Sequence, residues 1–170
     1  MSKLAEFREV KDAFFRSHQS PLSPEQHKTF GGLKYFDENP ALRLKAQLHK
    51  YPKPEQVQMA TSTGHIAVYL KYGYVQFSAG GQSQVLQVYK STEHDALFLP
   101  FMDATSGHET YGSGRYLDVE EERDGTLLLD FNMAYNPYCA YNEQWSCPIP
   151  TRENRLTARI EAGEKTYLYH

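Results

Sequence analysis

The chain has 170 residues, with 18 Lys and Arg against 21 Asp and Glu and a net charge of −3. That balance excludes a protein drawn as a whole to nucleic acid or to an anionic membrane, and no apolar run approaches the roughly 20 residues a spanning helix needs. The length suffices to bury a core without disulfides or metal, and thirteen Tyr and nine Phe against one Trp favour a strand-rich fold.

Residues 3–17 predict a helix. Leu4, Phe7, Val10 and Phe14 recur at three- and four-residue spacing, leaving Lys3, Glu6, Arg8, Glu9 and Asp12 to solvent, and Ser20-Pro21 ends the element. The same N-terminal stretch is charged and lacks the apolar centre of a signal peptide, which points to the cytoplasm, where Cys139 and Cys147 are expected to be reduced. From Ser20 to Pro40 the chain reads as loop, with a short strand or tight turn at Phe30–Phe36.

The period then changes to two. Leu42, Leu44, Ala46 and Leu48 alternate with polar residues, a half-buried strand. After Pro52 and Pro54 come Val57–Ala60, then Ile66–Leu70, a turn near Gly73, and Val75–Ala79. Gly80-Gly81 marks a reversal, followed by Val85–Tyr89 and Leu97–Phe101. Arg115–Glu120 and Thr126–Phe131 form a hairpin closed at Asp124-Gly125. Leu156, Ala158, Ile160 and Ala162 alternate in a further strand, and Thr166–Tyr169 adds a terminal one. Nine to ten strands with short connections predict a mainly β fold in a single domain, 1–170. Its helix is at about 3–17 and its β body at about 33–170, arranged as an antiparallel β-barrel or barrel-like sandwich.

Two polar runs interrupt this pattern. In residues 103–116, Gly107, Gly112 and Gly114 allow sharp turns, and Asp103, Thr105, Ser106, His108, Glu109, Thr110, Tyr111 and Arg115 surround them. In residues 130–154, Asp130 and Asn132 leave a strand on one side and Asn136-Pro137 opens an irregular connection. A two-residue turn at Asp124-Gly125 would set Val119 opposite Asp130, Leu117 opposite Asn132 and Arg115 opposite Ala134, within reach of a long side chain, so Arg115 and Asp130 are expected to share one concave site. Asp130, Arg115, Glu109 and Glu153 are the candidates for acid/base and charge-stabilising work. Asp103, Thr105, Ser106, Thr110, Tyr111, Asn132, Tyr135, Asn136, Tyr141 and Asn154 are the candidates for ligand contacts.

Cys139 and Cys147 admit three readings: packed small hydrophobes, an adjacent redox-active or bridged pair, or soft-metal ligands with His108. Proline-rich turns at both ends of their loop favour closeness. No cofactor motif is present, and the spacing of the thiols is not the Cys-x-x-Cys of a pre-set dithiol.

Phe30-Gly-Gly-Leu-Lys-Tyr-Phe36, Phe101-Met-Asp-Ala-Thr-Ser-Gly107, Glu109-Thr-Tyr-Gly112, Asp130-Phe-Asn132, Ala134-Tyr-Asn-Pro137, Cys139-Ala-Tyr141, Glu153-Asn154 and Ala162-Gly-Glu164 together resemble the family known as domain of unknown function 1684. The resemblance covers nearly the whole chain. It implies a shared polar site but no activity, and it tells against His108, whose place in the family motif is variable. The expectation is therefore a small-molecule-binding β domain with a polar pocket built from residues 103–116 and 130–154, or a hydrolase using carboxylate, thiol or metal chemistry there. Neither nucleic acid nor membrane is expected as a partner.

Overall fold

Ser2 starts the first element by accepting a hydrogen bond from Ala5 N, and the helix α1 (Lys3–Arg16) follows. The computed structural model describes residues 2–167. Helix α1 stops at Ser17, whose side chain and backbone N–H both donate to Phe14 O, so it ends before Ser20-Pro21 is reached. Its predicted inward stripe is only half correct. Leu4 is buried, but the second anchor is Phe15, packed edge-on to Tyr141 at 4.9 Å and stacked on Phe30. Phe7, Val10 and Phe14 stay 37, 70 and 36% exposed.

A short helix α2 (Pro24–Thr29) occupies part of the predicted loop. Ser23 and Gln26 form a reciprocal capping box with Pro24 in the first turn, a local signal that outweighs the loop-like composition around it. Tyr35 makes only an isolated bridge to Glu164.

The body is mainly antiparallel β. Five strands, β2 (His49–Ala60), β3 (Ile66–Ala79), β4 (Gln82–Ser91), β5 (Leu97–Phe101) and β6 (Arg115–Val119), form one meandering sheet in chain order. A separate two-stranded sheet pairs β1 (Arg43–Gln47) with β7 (Thr126–Asp130), Arg43 standing opposite Asp130. Both sheets turn their apolar faces to one core, in which Leu42, Ala46, Leu86, Leu99, Leu117, Leu129, Phe131 and Ile160 are buried together.

Two strand boundaries differ from expectation, each for a backbone reason. The prolines do not shorten β2: Pro52 and Pro54 lie within it because it is an edge strand, and the register shifts between Lys50 and Glu55. Gly73 does not end a strand. It lies inside the continuous β3 where a Cβ would come within 2.5 Å of His49 O, so this glycine marks close approach of two backbones. The reversal at Gly80-Gly81 is real, with φ of 58° and 75°.

The predicted hairpin of β6 and β7 is also corrected. Its turn uses Glu122 to Gly125, and one bridge, Glu121↔Leu127, follows before β6 leaves for β5 and β7 for β1. The two strands part because each finds a full ladder elsewhere. Beyond the split, Tyr116 pairs with Tyr135, so an opening in the wall is bounded by β6, β7 and these two bridges. The segment 156–162 is not a strand, although its burial alternates as predicted. The predicted strand Thr166–Tyr169 lies partly outside the described residues, and Thr166 and Tyr167 are irregular.

Candidate functional site

Arg115 enters the interior from the first residue of β6 and is fully buried. Its guanidinium donates to Ile160 O at 2.9 Å, to Ala162 O, to Glu164 O at 3.3 Å and to Asp103 Oδ1 at 3.3 Å, with the Phe101 ring beneath it. Asp103 in turn accepts from Ile160 N at 2.7 Å, Thr105 N and Thr105 Oγ1. Burial pushes the Arg115 pKa down, and the Asp103 carboxylate opposes that shift. Together the two side chains do for 160–164 what a neighbouring strand would do. This explains a strand-like period without a strand: the ladder is made by a fork and a carboxylate.

Two asparagines, Asn154 and Asn132, repeat the device, since a side-chain amide carries the same donor and acceptor as a peptide unit, and Asn136 ties backbone through its donor alone. Asn154 accepts from Gln87 N and donates to Gln87 O and Pro100 O, filling the place where the short β4–β5 ladder stops. Asn132 accepts from Asn39 N and donates to Asn39 O and Asp130 Oδ1. Asn136 donates to Lys165 O and to Tyr141 Oη. Thr105 and Thr110, both buried, share a hydroxyl hydrogen bond, and Ser106 Oγ accepts from Asp103 N. Much of each run, Asp103, Thr105, Thr110 and Arg115 in one and Asn132, Asn136 and Asn154 in the other, is thus consumed in tying irregular backbone.

The four catalytic candidates do not converge. Arg115 holds Asp103 in the core. Asp130 pairs with Arg43 at 3.1 Å, Glu109 with Arg159, and Glu153 with Lys71 at 2.9 Å, the last two on the surface. The expected sharing of one site by Arg115 and Asp130 fails because the assumed register does not form.

A second, partly buried ion pair was invisible in the sequence. Lys11 of α1 reaches Glu164, which also accepts from Tyr141 Oη and from Asn136 N at 3.2 Å. Burial and the adjacent Glu164 carboxylate raise the Tyr141 pKa well above that of a free phenol. The Lys11 ammonium also sits 4.9 Å from the centre of the Tyr135 ring. These contacts hold α1 off the β body at a fixed height.

Under α1 lies a cleft of about 1080 Å³. One wall is the helix, with Leu4, Phe7, Val10, Lys11 and Phe14; the other is the outside of the parted strands, with Asp118, Leu128, Asp130, Met133, Tyr135 and Tyr138. It takes Asp130, Met133, Tyr135 and Tyr138 from the 130–154 run and nothing from 103–116. Among the predicted ligand contacts only Tyr135 lines it, donating to Asp118 Oδ1 at 2.8 Å. The lining carries Lys3, Lys11 and Arg43 against Glu38, Asp118, Glu120, Glu122 and Asp130. Lys11 and Arg43 are already paired with carboxylates, so the cleft has an acidic rim over an apolar interior.

Cys139 and Cys147 do lie together. Cys139 N donates to Cys147 Sγ at 3.3 Å, both are free thiols, and Tyr111 Oη stands 3.7 Å from Cys139 Sγ. His108 is exposed in its own turn, and among the described residues no three His, Cys, Asp or Glu are grouped as metal ligands. Among the described residues no helix is long and apolar enough to cross a membrane.

A family model described as a protein of unknown function (DUF1684) matches residues 28–165. No curated protein matches significantly. The chain is similar to an uncharacterized protein from Haloarcula marismortui whose structure was solved in solution by NMR. The two are 40% identical over 99% of this chain and 95% of that one, with a TM-score of 0.77. That likeness extends over α1, which precedes the family match.

Proposed function

The chain belongs to the DUF1684 family, whose function is unknown, and we propose that it binds a small, mostly apolar molecule in the cleft between α1 and the parted strands β6 and β7. The observation that carries this reading is the cleft itself. Its volume, about 1080 Å³, is at the upper end of ligand pockets, roughly 300–1,000 Å³. Its walls leave Phe7, Val10, Phe14, Leu128 and Tyr138 in contact with water, a cost that an apolar guest removes. The rim favours a neutral or cationic guest over an anion, because once Arg43 is set against Glu38 and Asp130, and Lys11 against Glu164, the lining still holds Asp118, Glu120 and Glu122 against Lys3. The reading also takes the two sheets as barrel-like, β1 running into β2 across Leu48 and β6 into β7 across one turn, with the cleft at the seam.

The alternative, a hydrolase, would draw on Asp130, the one member of the proposed catalytic quartet at the cleft. Its carboxylate is held by Arg43 and by Asn132 N and Nδ2, so its acceptor positions are already taken up by the protein.

Titration with the uncharged dye Nile red tests the proposal. Saturable one-to-one binding is expected, with a dissociation constant of roughly micromolar order, about −8 kcal/mol. Dodecylamine should displace the dye at lower concentration than dodecanoate does. Leu128→Trp, which fills an exposed position in the wall, should abolish binding while leaving the unfolding midpoint unchanged. Non-saturable dye uptake, or binding indifferent to Leu128→Trp, would refute it.

A further inference from the structure

The geometry points to a second site, independent of the cleft reading: we propose that Cys139 and Cys147 are a dithiol that a small hydroperoxide oxidises to an intramolecular disulfide. The two thiols come from opposite ends of one loop. Cys139 lies in a 3-10 turn after Pro137, and Cys147 precedes Pro148. The Cys147 end is pinned to the β2–β3 turn: Ser62 N donates to Cys147 O, Cys147 N to Ser62 Oγ, and Ile149 N to Ala60 O. The Cys139 end is fixed by its own N–H on Cys147 Sγ at 3.3 Å. Both sulfurs are thus held side by side by backbone on each flank.

The surroundings separate their roles. Tyr111 Oη stands 3.7 Å from Cys139 Sγ, and the Cys147 thiol also donates to that sulfur. Cys147, Tyr111 and Ser62 all favour the Cys139 thiolate, and its pKa falls to about 6, chiefly through the Cys147 hydrogen bond and against the effect of burial. The Cys147 pKa moves the other way, because that thiol supplies the proton and is itself buried. Packed residues on the other sides are Tyr116, Tyr135 and Phe98, which bring no cation. The Tyr111 hydroxyl lies against Cys139 Sγ at 3.7 Å, and on that contact we assign Cys139 as the attacking sulfur and Cys147 as the resolving one.

Burial selects the oxidant. Cys139 and Cys147 are only 6% and 8% exposed, which admits a molecule the size of hydrogen peroxide and excludes the disulfide of a partner protein. The Cys139 thiolate attacks one peroxide oxygen, the O–O bond breaks, and the departing oxygen takes a proton to leave as alcohol or water. Cys139 becomes a sulfenic acid. The Cys147 sulfur then attacks it, the S–S bond forms, and the hydroxyl leaves with the Cys147 proton as water. Two thiols and one hydroperoxide give one disulfide, one alcohol or water, and one water. A small thiol restores the dithiol by exchange.

The test is mass analysis of the folded full chain after brief treatment with stoichiometric hydrogen peroxide. The tryptic peptide 124–152 holds both cysteines, so bridging is read as loss of two hydrogens from it, distinct from the added oxygen of oxidised Met133. Full conversion in the native protein is expected, at least tenfold faster than in denaturant, and dithiothreitol should reverse it. In Cys147→Ser, dimedone should trap a sulfenic acid at Cys139, whereas Cys139→Ser should leave Cys147 unlabelled. Should either variant fail to fold, the native-to-denatured rate ratio of the unaltered chain decides. Free thiols after treatment, equal rates in the two states, or sulfenic acid first at Cys147 would overturn the proposal.

Discussion

Replacing Arg115 with Met keeps the length of the side chain and deletes its donors, which isolates the structural task of the guanidinium. Asp103 would remain buried with its counter-charge gone, and the carbonyls of Ile160, Ala162 and Glu164 would lose their donor. Removing one partner of a buried ion pair costs roughly 3–5 kcal/mol. Each orphaned carbonyl could add about 1–3 kcal/mol, but these costs overlap, because a loosened 160–164 segment regains water. A net loss of about 4 kcal/mol is expected, a large part of the roughly 5–15 kcal/mol available to a domain. At roughly 2–4 °C per kcal/mol for this chain length, Tm should fall by about 8–16 °C. Urea unfolding followed by circular dichroism measures it. Arg115→Lys should lose roughly half as much, since an ammonium can hold Asp103 but cannot fork across three carbonyls. Adding Asp103→Asn to Arg115→Met should cost less than the sum of the two single changes, because the uncompensated carboxylate is then absent. A loss under about 1 kcal/mol for Arg115→Met would refute the idea that this pair stands in for a strand.

Lys11→Met should cost roughly 2–3 kcal/mol by leaving Glu164 without its cation, and hydrogen exchange should show α1 amides losing protection while β3 and β4 keep theirs. Gly73→Ala should destabilise by about 2 kcal/mol or more, because the new Cβ would lie 2.5 Å from His49 O, and the exchange of β2 amides should rise most. The pH dependence of thiol alkylation follows from the Cys139 shift. Hydrogen bonds from Cys147 and Tyr111 favour the thiolate, the reactive form, so Cys139 pKa is lowered. Labelling of Cys139 in the folded protein should rise through about pH 6. In denaturant it should rise through about pH 8.5. Coincident profiles would contradict the arrangement.

The alternation of apolar and polar residues was legible along most of the ladders, and even at 156–162, where there is none: period two reports burial on one side and is silent about what bonds the backbone. Pro52, Pro54 and Gly73 misled for a related reason. Each is a local signal whose meaning depends on whether the strand lies at an edge or against another backbone. The polar runs were correctly singled out as unusual, but sequence cannot show where ladders break, so Asn132 and Asn154 read as ligand contacts when they serve as substitute peptide groups, and Asn136 when it ties Lys165 O. The cleft had one visible trace, an α1 stripe of Leu4, Phe7, Val10 and Phe14 longer than the core covers. Its other determinants, the parting of β6 from β7 and the pairing of Lys11 with Glu164, join residues far apart in sequence and carry no local mark.

The most direct test of the cleft is chemical-shift mapping by NMR with the neutral dye. Amides and methyls of Val10, Leu128, Met133 and Tyr135 should shift together and saturate at one equivalent, while those of Thr105, Arg115 and Asn154 stay in place. Shifts centred on Asp103 and Arg115, or none at saturating dye, would contradict a guest site under α1.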